Sequence, residues 1–121
     1  MTIKDLYEKI GADYDEALSR MQKEERMIKY VGLFINDTSF NDLKMAMEDD
    51  NMEEAFKAAH TLKGLCANLS FKKMFIESSD LTEALRNNTD IAHAKEIYPK
   101  LLDTYLDTIS NIKNFLYLTQ K

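Results

Sequence analysis

The sequence predicts an all-α fold: an up-down-up-down antiparallel four-helix bundle with one or two short extra N-terminal helices. Three observations predict it. Apolar residues recur at helical rather than strand spacing nearly throughout the chain. Three glycines and one proline in 121 residues are too few to turn several β-hairpins. The amphipathic segments are joined by short polar turns, which antiparallel neighbours around one core satisfy most simply.

A first short helix is expected after Thr2, ending at Gly11. Asp13, with Glu16 three residues on, has capping-box character for a second segment reaching about Met21. From Glu24 to Ile35, the residues Met27, Ile28, Val31, Phe34 and Ile35 form an apolar stripe. Gly32 weakens that helix by roughly 1 kcal/mol relative to alanine. Asn36 to Ser39 reads as a turn, and Phe40, Leu43, Ala46 and Met47 mark the next helix. Asn51, with Glu54 at the third helical position, caps a helix expected over Met52 to Leu69. Ser70 is then read as the N-cap of a helix bearing Phe71, Met74, Phe75, Ser78, Leu81 and Leu85. Asn87 to Asp90 supplies a turn and a cap, and a stripe from Ile91 to Leu116 completes the chain. Pro99 is expected to kink this last helix or to begin a new one.

Residues 1–121 read as a single domain, long enough to bury a core without disulfides or metal. The net charge of −5 comes with acidic and basic residues interspersed, and no Lys/Arg cluster suits a phosphate backbone, so nucleic acid is not an expected partner. A lone cysteine, Cys66, excludes an internal disulfide and fits a reducing compartment. Lys4, Asp5, Glu8 and Lys9 stand where a signal peptide needs an apolar run, and no stretch approaches the ~20 apolar residues of a membrane span. A cytoplasmic protein without membrane partners is expected, and a complete core within one chain makes a monomer the simpler expectation.

The segment Ala58-Ala59-His60-Thr61-Leu62-Lys63-Gly64-Leu65-Cys66-Ala67-Asn68-Leu69 carries the chemistry. On a helical wheel, Ala55, Ala58, Leu62, Leu65 and Leu69 gather on one side and His60 on the other. Near the azimuth of His60 lie Glu53, Phe56, Lys57, Lys63, Gly64 and Ala67. Lys57 and Lys63, three residues before and after, are within side-chain reach of the ring. Flanking cations disfavour a further positive charge, leaving a ring lone pair free for nucleophilic attack, and the same cations suit a phosphoryl group once it is attached. Gly64 costs the helix roughly 0.8–1.0 kcal/mol where no turn is expected. Its lack of a side chain one turn from His60, with the small Ala67 beyond, opens the imidazole to a partner. Phe56, one turn to the other side, is expected to be an exposed docking aromatic.

His60-Thr61-Leu62-Lys63-Gly64 and Leu69 resemble the signature of the histidine-containing phosphotransfer (HPt) domains, a helix-borne His-x-x-Lys-Gly followed by small residues and a leucine. The resemblance covers essentially the whole chain. It implies that His60 accepts a phosphoryl group from an aspartyl phosphate on a response-regulator receiver domain and passes it to another receiver. It implies that Lys63 assists the phosphate and Gly64 gives access to it. Receiver domains, alone or within hybrid histidine kinases, are the implied partners. Ser70 departs from the glycine frequent there, and Leu65-Cys66 from the usual small or hydroxyl residues.

The sequence has neither a Gly-rich phosphate loop nor an acidic cluster suited to Mg²⁺, so no cofactor is expected on this chain and Mg²⁺ belongs to the partner receiver. With only two distant histidines, no metal site is expected. His93 reads as a surface residue, Cys66 as filler at the edge of the core, and Lys57 as a residue that Glu53 at i−4 could equally engage. Two rival readings remain. One is an interaction module that keeps the bundle and binds a receiver or other signalling protein without phosphotransfer. The other is an enzyme using His60 as general base, for which only Glu53, about two turns away, offers a carboxylate on that helix face.

Overall fold

In a computed structural model, which describes residues 1–120, the chain forms seven α-helices and one 3-10 turn, with no strand among the described residues. They are α1 (Ile3–Lys9), α2 (Tyr14–Met21), α3 (Glu24–Ile35), α4 (Ser39–Glu48), α5 (Met52–Leu69), α6 (Lys72–Leu85), the 3-10 turn (Arg86–Asn88) and α7 (Ile91–Gln120). The all-α expectation and most helix limits hold, because end signals coincide with breaks in the apolar stripe. Asn51 accepts a hydrogen bond from the Glu54 amide at 3.2 Å to start α5.

The bundle has four columns, α3 and α4 making up one of them. Gly32 of α3 lies against Leu116 of α7, Phe34 meets Tyr105 at 5.9 Å between ring centroids, and Phe40 of α4 stacks on Tyr105 at 3.9 Å and Tyr98 at 6.3 Å. As the chain advances from α3 into α4, its partners on α7 step backward, so the broken column runs antiparallel to α7. Columns α5 and α6 are antiparallel too, since Phe56 meets Arg86 while Cys66 meets Ser78. At 30 residues and roughly 45 Å, α7 far outreaches the 18-residue α5. Helices α1 and α3 pack against α7, and the short α1 and α2 are the extra N-terminal pieces. All seven helices contribute to one apolar core. Aromatic contacts run through it from Tyr7 to Phe71 (5.7 Å), Phe71 to Phe34 (5.3 Å), and on to Tyr105 and Phe40.

Three local expectations are corrected. Ser70 does not cap α6. It ends α5 in the left-handed conformation (φ 59°, ψ 36°), with its amide bonded to the Ala67 carbonyl (3.3 Å) and the Phe71 amide to the Cys66 carbonyl (2.9 Å). This is the Schellman pattern, and the two-residue connection needs it to reverse the chain. Phe71 stands at the start of α6 without a side-chain cap. Glu16 completes no capping box on Asp13, because its carboxylate is engaged by Arg20 of the same helix (3.0 Å) and, across helices, by Lys72 (2.6 Å) and Ser70 (3.0 Å). Of the two outcomes expected at Pro99, a new helix does not begin there: the residue lies inside α7. It is exposed on the outer face, where the unpaired Lys95 carbonyl can meet water, and buried Ala94, Ile97 and Leu101 hold both flanks in the core.

Two polar links, one buried and one at the surface, tie the N-terminal helices to the end of the motif helix. The Tyr7 hydroxyl donates to the Leu69 carbonyl at 2.9 Å. Arg20 donates from Nη1 to the carbonyls of Ala67 (2.8 Å) and Asn68 (2.7 Å), a cation at a helix C-terminus where carbonyls lack intrahelical partners.

Candidate functional site

Helix α5 presents two faces. Ala55, Ala58, Ala59, Leu62, Cys66 and Leu69 are buried, while His60, Thr61, Gly64, Ala67 and Asn68 are exposed. The wheel places Leu65 in the core, but it is half-buried. It lines an apolar cleft of about 410 Å³ with Met21 of α2 and Tyr30, Leu33 and Phe34 of α3. Cys66 lies deeper than the core edge, at 0% exposure, and burial pushes its thiol up to about 12.

His60 stands on the open face near the middle of α5. One turn on, a Cβ built at Gly64 would meet nothing within 4 Å, so space beside the ring is open. Ala67 extends the low, exposed surface by another turn. Lys63 is half-buried and has no ion pair among the described residues. Lys57 differs: its ammonium lies 3.3 Å from Glu54 and 3.8 Å from Glu53, on the preceding turn. The two lysines therefore do not flank His60 equally, because the acidic first turn of α5 neutralises one of them.

Phe56 is not a free docking aromatic. Its half-buried ring lies 6.0 Å from the His60 ring at a 47° tilt, and the Arg86 guanidinium sits 5.0 Å from its centroid. Sequence reasoning misses both Arg86 and its partner Glu83, which belong to α6 and its end. Their ion pair is at 3.2 Å on each of two contacts. Hydrogen bonds from Arg86 hold the Glu83 carboxyl below its usual range, with smaller contributions from the charges of Lys63 and His60. A second carboxylate thus reaches this region, besides Glu53 of the helix itself. The visible sequence signal is only an i,i+3 pair before Asn87-Asn88; its placement beside Phe56 comes from the antiparallel packing of α5 and α6.

His93, expected at the surface, is half-buried, with Nε2 3.0 Å from the Asp80 carboxylate on α6. Among the described residues, no group of three or more histidine, cysteine, aspartate or glutamate side chains is placed to hold a metal ion. None of the described helices is long and apolar enough to cross a membrane.

The Hpt domain family model matches residues 30–114, which spans the end of α3 through most of α7 and includes the whole of α5. The chain belongs to the Hpt domain family. No solved structure matches it. Hpt domains are phosphocarriers of phosphorelay signalling that interact with receiver domains and histidine kinases. In this Hpt domain, α1, α2 and the start of α3 lie outside the matched region. Arg20 and Tyr7 of that leading segment nevertheless bond the carbonyls at the end of α5.

Proposed function

We propose that this Hpt protein is a phosphorelay intermediate in which His60 accepts a phosphoryl group from a receiver-domain aspartyl phosphate and yields it to a second receiver domain. One observation carries the reading: an exposed imidazole stands beside open space at Gly64, with an unengaged ammonium at Lys63 one turn away. An unprotonated ring nitrogen attacks phosphorus, the N–P bond forms, and the P–O bond to the aspartyl carboxyl breaks with its electron pair leaving on the carboxylate. The ring proton on the other nitrogen then passes to solvent. Transfer onward is the reverse step on another carboxylate. Lys63 neutralises charge on the phosphoryl oxygens, which a charge-assisted hydrogen bond stabilises more than a neutral one. Glycine at 64 and alanine at 67 let the receiver's active site close over the ring.

No cofactor of this chain enters the reaction; Mg²⁺ belongs to the receiver. General-base catalysis by His60 is disfavoured, because Glu83 is engaged by Arg86 and Glu53 lies beside Lys57. The experiment is to incubate the protein with a phosphorylated receiver domain and assay acid-labile phosphate. Wild type should be labelled and His60→Gln should not. Labelling of both refutes the role of His60, and binding without labelling by wild type would favour the non-phosphorylated interaction module.

A further inference from the structure

We infer that Phe56 is a positioning residue for His60: its ring holds the imidazole in one orientation, so that a nitrogen is already aimed when a receiver's aspartyl phosphate arrives. The inference rests on the reading of His60 as phosphoryl acceptor and names what orients that acceptor.

A nucleophilic histidine is ordinarily oriented by a hydrogen bond at one ring nitrogen, which fixes the tautomer and leaves the other nitrogen free. His60 lacks that device. The residue is exposed, and neither ring nitrogen has a hydrogen-bond or ion-pair partner among the described residues. On its C-terminal side, nothing lies within 4 Å of where a Cβ of Gly64 would stand. The ring's support is on the other side. Side chains on a helix lean towards its N-terminus, over the residue four before, which for His60 is Phe56. The two ring centroids are 6.0 Å apart with their planes tilted by 47°, within the range of aromatic contact.

Phe56 can serve as a support because it is itself held. Its half-buried ring packs against the apolar core and lines a cleft with Met52 and Leu85. An imidazole without any contact turns among its rotamers, and only some of them point a nitrogen at phosphorus. Contact with Phe56 narrows that set before the receiver docks. In the transfer, the nitrogen lone pair forms the N–P bond as the P–O bond to the aspartyl carboxyl breaks, its electron pair leaving on the carboxylate. Orientation set beforehand speeds this step without strengthening the receiver's binding.

The test is rapid-quench transfer from a phosphorylated receiver domain to the full-length protein over a range of receiver concentrations. Phe56→Ala should lower the rate at saturating receiver by about tenfold while the half-saturating concentration stays within about twofold of wild type. Phe56→Tyr, which keeps the ring, should restore most of the rate; Phe56→Leu, which keeps bulk alone, should not. Phosphoramidate supplies the comparison: it phosphorylates the imidazole with loss of ammonia and approaches freely from solvent, so Phe56→Ala should lose less with this donor than with the receiver. Equal losses with both donors overturn the inference, because the ring's reactivity has then changed instead of its aim. A raised half-saturating concentration at an unchanged saturating rate overturns it in favour of docking, and wild-type transfer by Phe56→Leu overturns it by reducing the ring to filler. Circular-dichroism melts separate loss of fold from loss of transfer. The contact is also read without any donor: the His60 ring protons should shift in NMR spectra between wild type and Phe56→Leu, and identical shifts overturn the inference. Wild type that shows this shift and loads from phosphoramidate, but takes nothing from a phosphorylated receiver, overturns the relay reading alone.

Discussion

Replacing Gly64 separates what the helix wants from what the site needs. The position is exposed, mid-helix, and open around any added methyl: no atom lies within 4 Å of where a Cβ would stand. Gly64→Ala should therefore gain nearly the full helix-propensity difference, about 0.8–1.0 kcal/mol, with no clash to subtract. For a chain of 121 residues the unfolding entropy is roughly 0.25 kcal/mol/K, so the melting temperature should rise by about 3–4 °C. Phosphotransfer should move the other way, modestly for Gly64→Ala and at least tenfold for Gly64→Gln, a loss equivalent to about 1.4 kcal/mol in the barrier. Circular-dichroism melts and rapid-quench transfer from a phosphorylated receiver read the two effects independently. Gly11 is the control: at φ 69°, with Lys73 Cβ only 3.1 Å from a new methyl, alanine there should destabilise. A lowered melting temperature for Gly64→Ala, or wild-type transfer by Gly64→Gln, would refute the reasoning.

Three further outcomes follow from the packing. Cys66 should resist maleimide at pH 8 in the folded protein, its thiol being fully buried with a pKa raised to about 12, and should react only as denaturant unfolds the chain; fast labelling of native protein would contradict its placement. Tyr7→Phe should cost about 1–2 kcal/mol in urea denaturation, because it leaves the buried Leu69 carbonyl without its donor; an unchanged midpoint would show that the bond adds nothing. Glu16 has its carboxyl held below the usual 4.5 by Lys72 first, then Ser70. A depressed carboxylate contributes stability above its unfolded value and loses it as pH falls through the folded one, so acid should erode this contribution progressively below about pH 4.5. Lys72→Ala should flatten that part of the stability curve, measured by denaturant midpoints from pH 6 to 3.

Helix limits are legible wherever a local signal and the apolar stripe stop together, as at Asn51 before α5 and at Ile35 after α3. They mislead where a residue's role depends on a distant partner. Ser70 has the chemistry of an N-cap but serves the Schellman turn, and Glu16 has capping-box spacing but is drawn to Lys72 and Arg20. The same division runs through the site. His60, Gly64 and Ala67 fall on the open face as the wheel predicts, because a single helix determines which residues share an azimuth. The surroundings of Lys57 and Phe56 do not follow from the wheel, since Lys57 answers to which acids its rotamer meets and Phe56 to what α6 brings against it.

By itself, the sequence determined that this chain is helical, which stripe of α5 enters the core, and that His60 and Lys63 stand one turn apart beside a residue without a side chain. Those properties are set by periodicity and backbone propensity within a few residues. Only the tertiary structure decided that Glu83 and Arg86 approach the His60 face, that Leu65 joins Tyr30 and Leu33 in a cleft, and that Arg20 and Tyr7 secure the end of α5. Each depends on the antiparallel register and relative placement of whole helices, which the summed burial of the core fixes and no local pattern encodes.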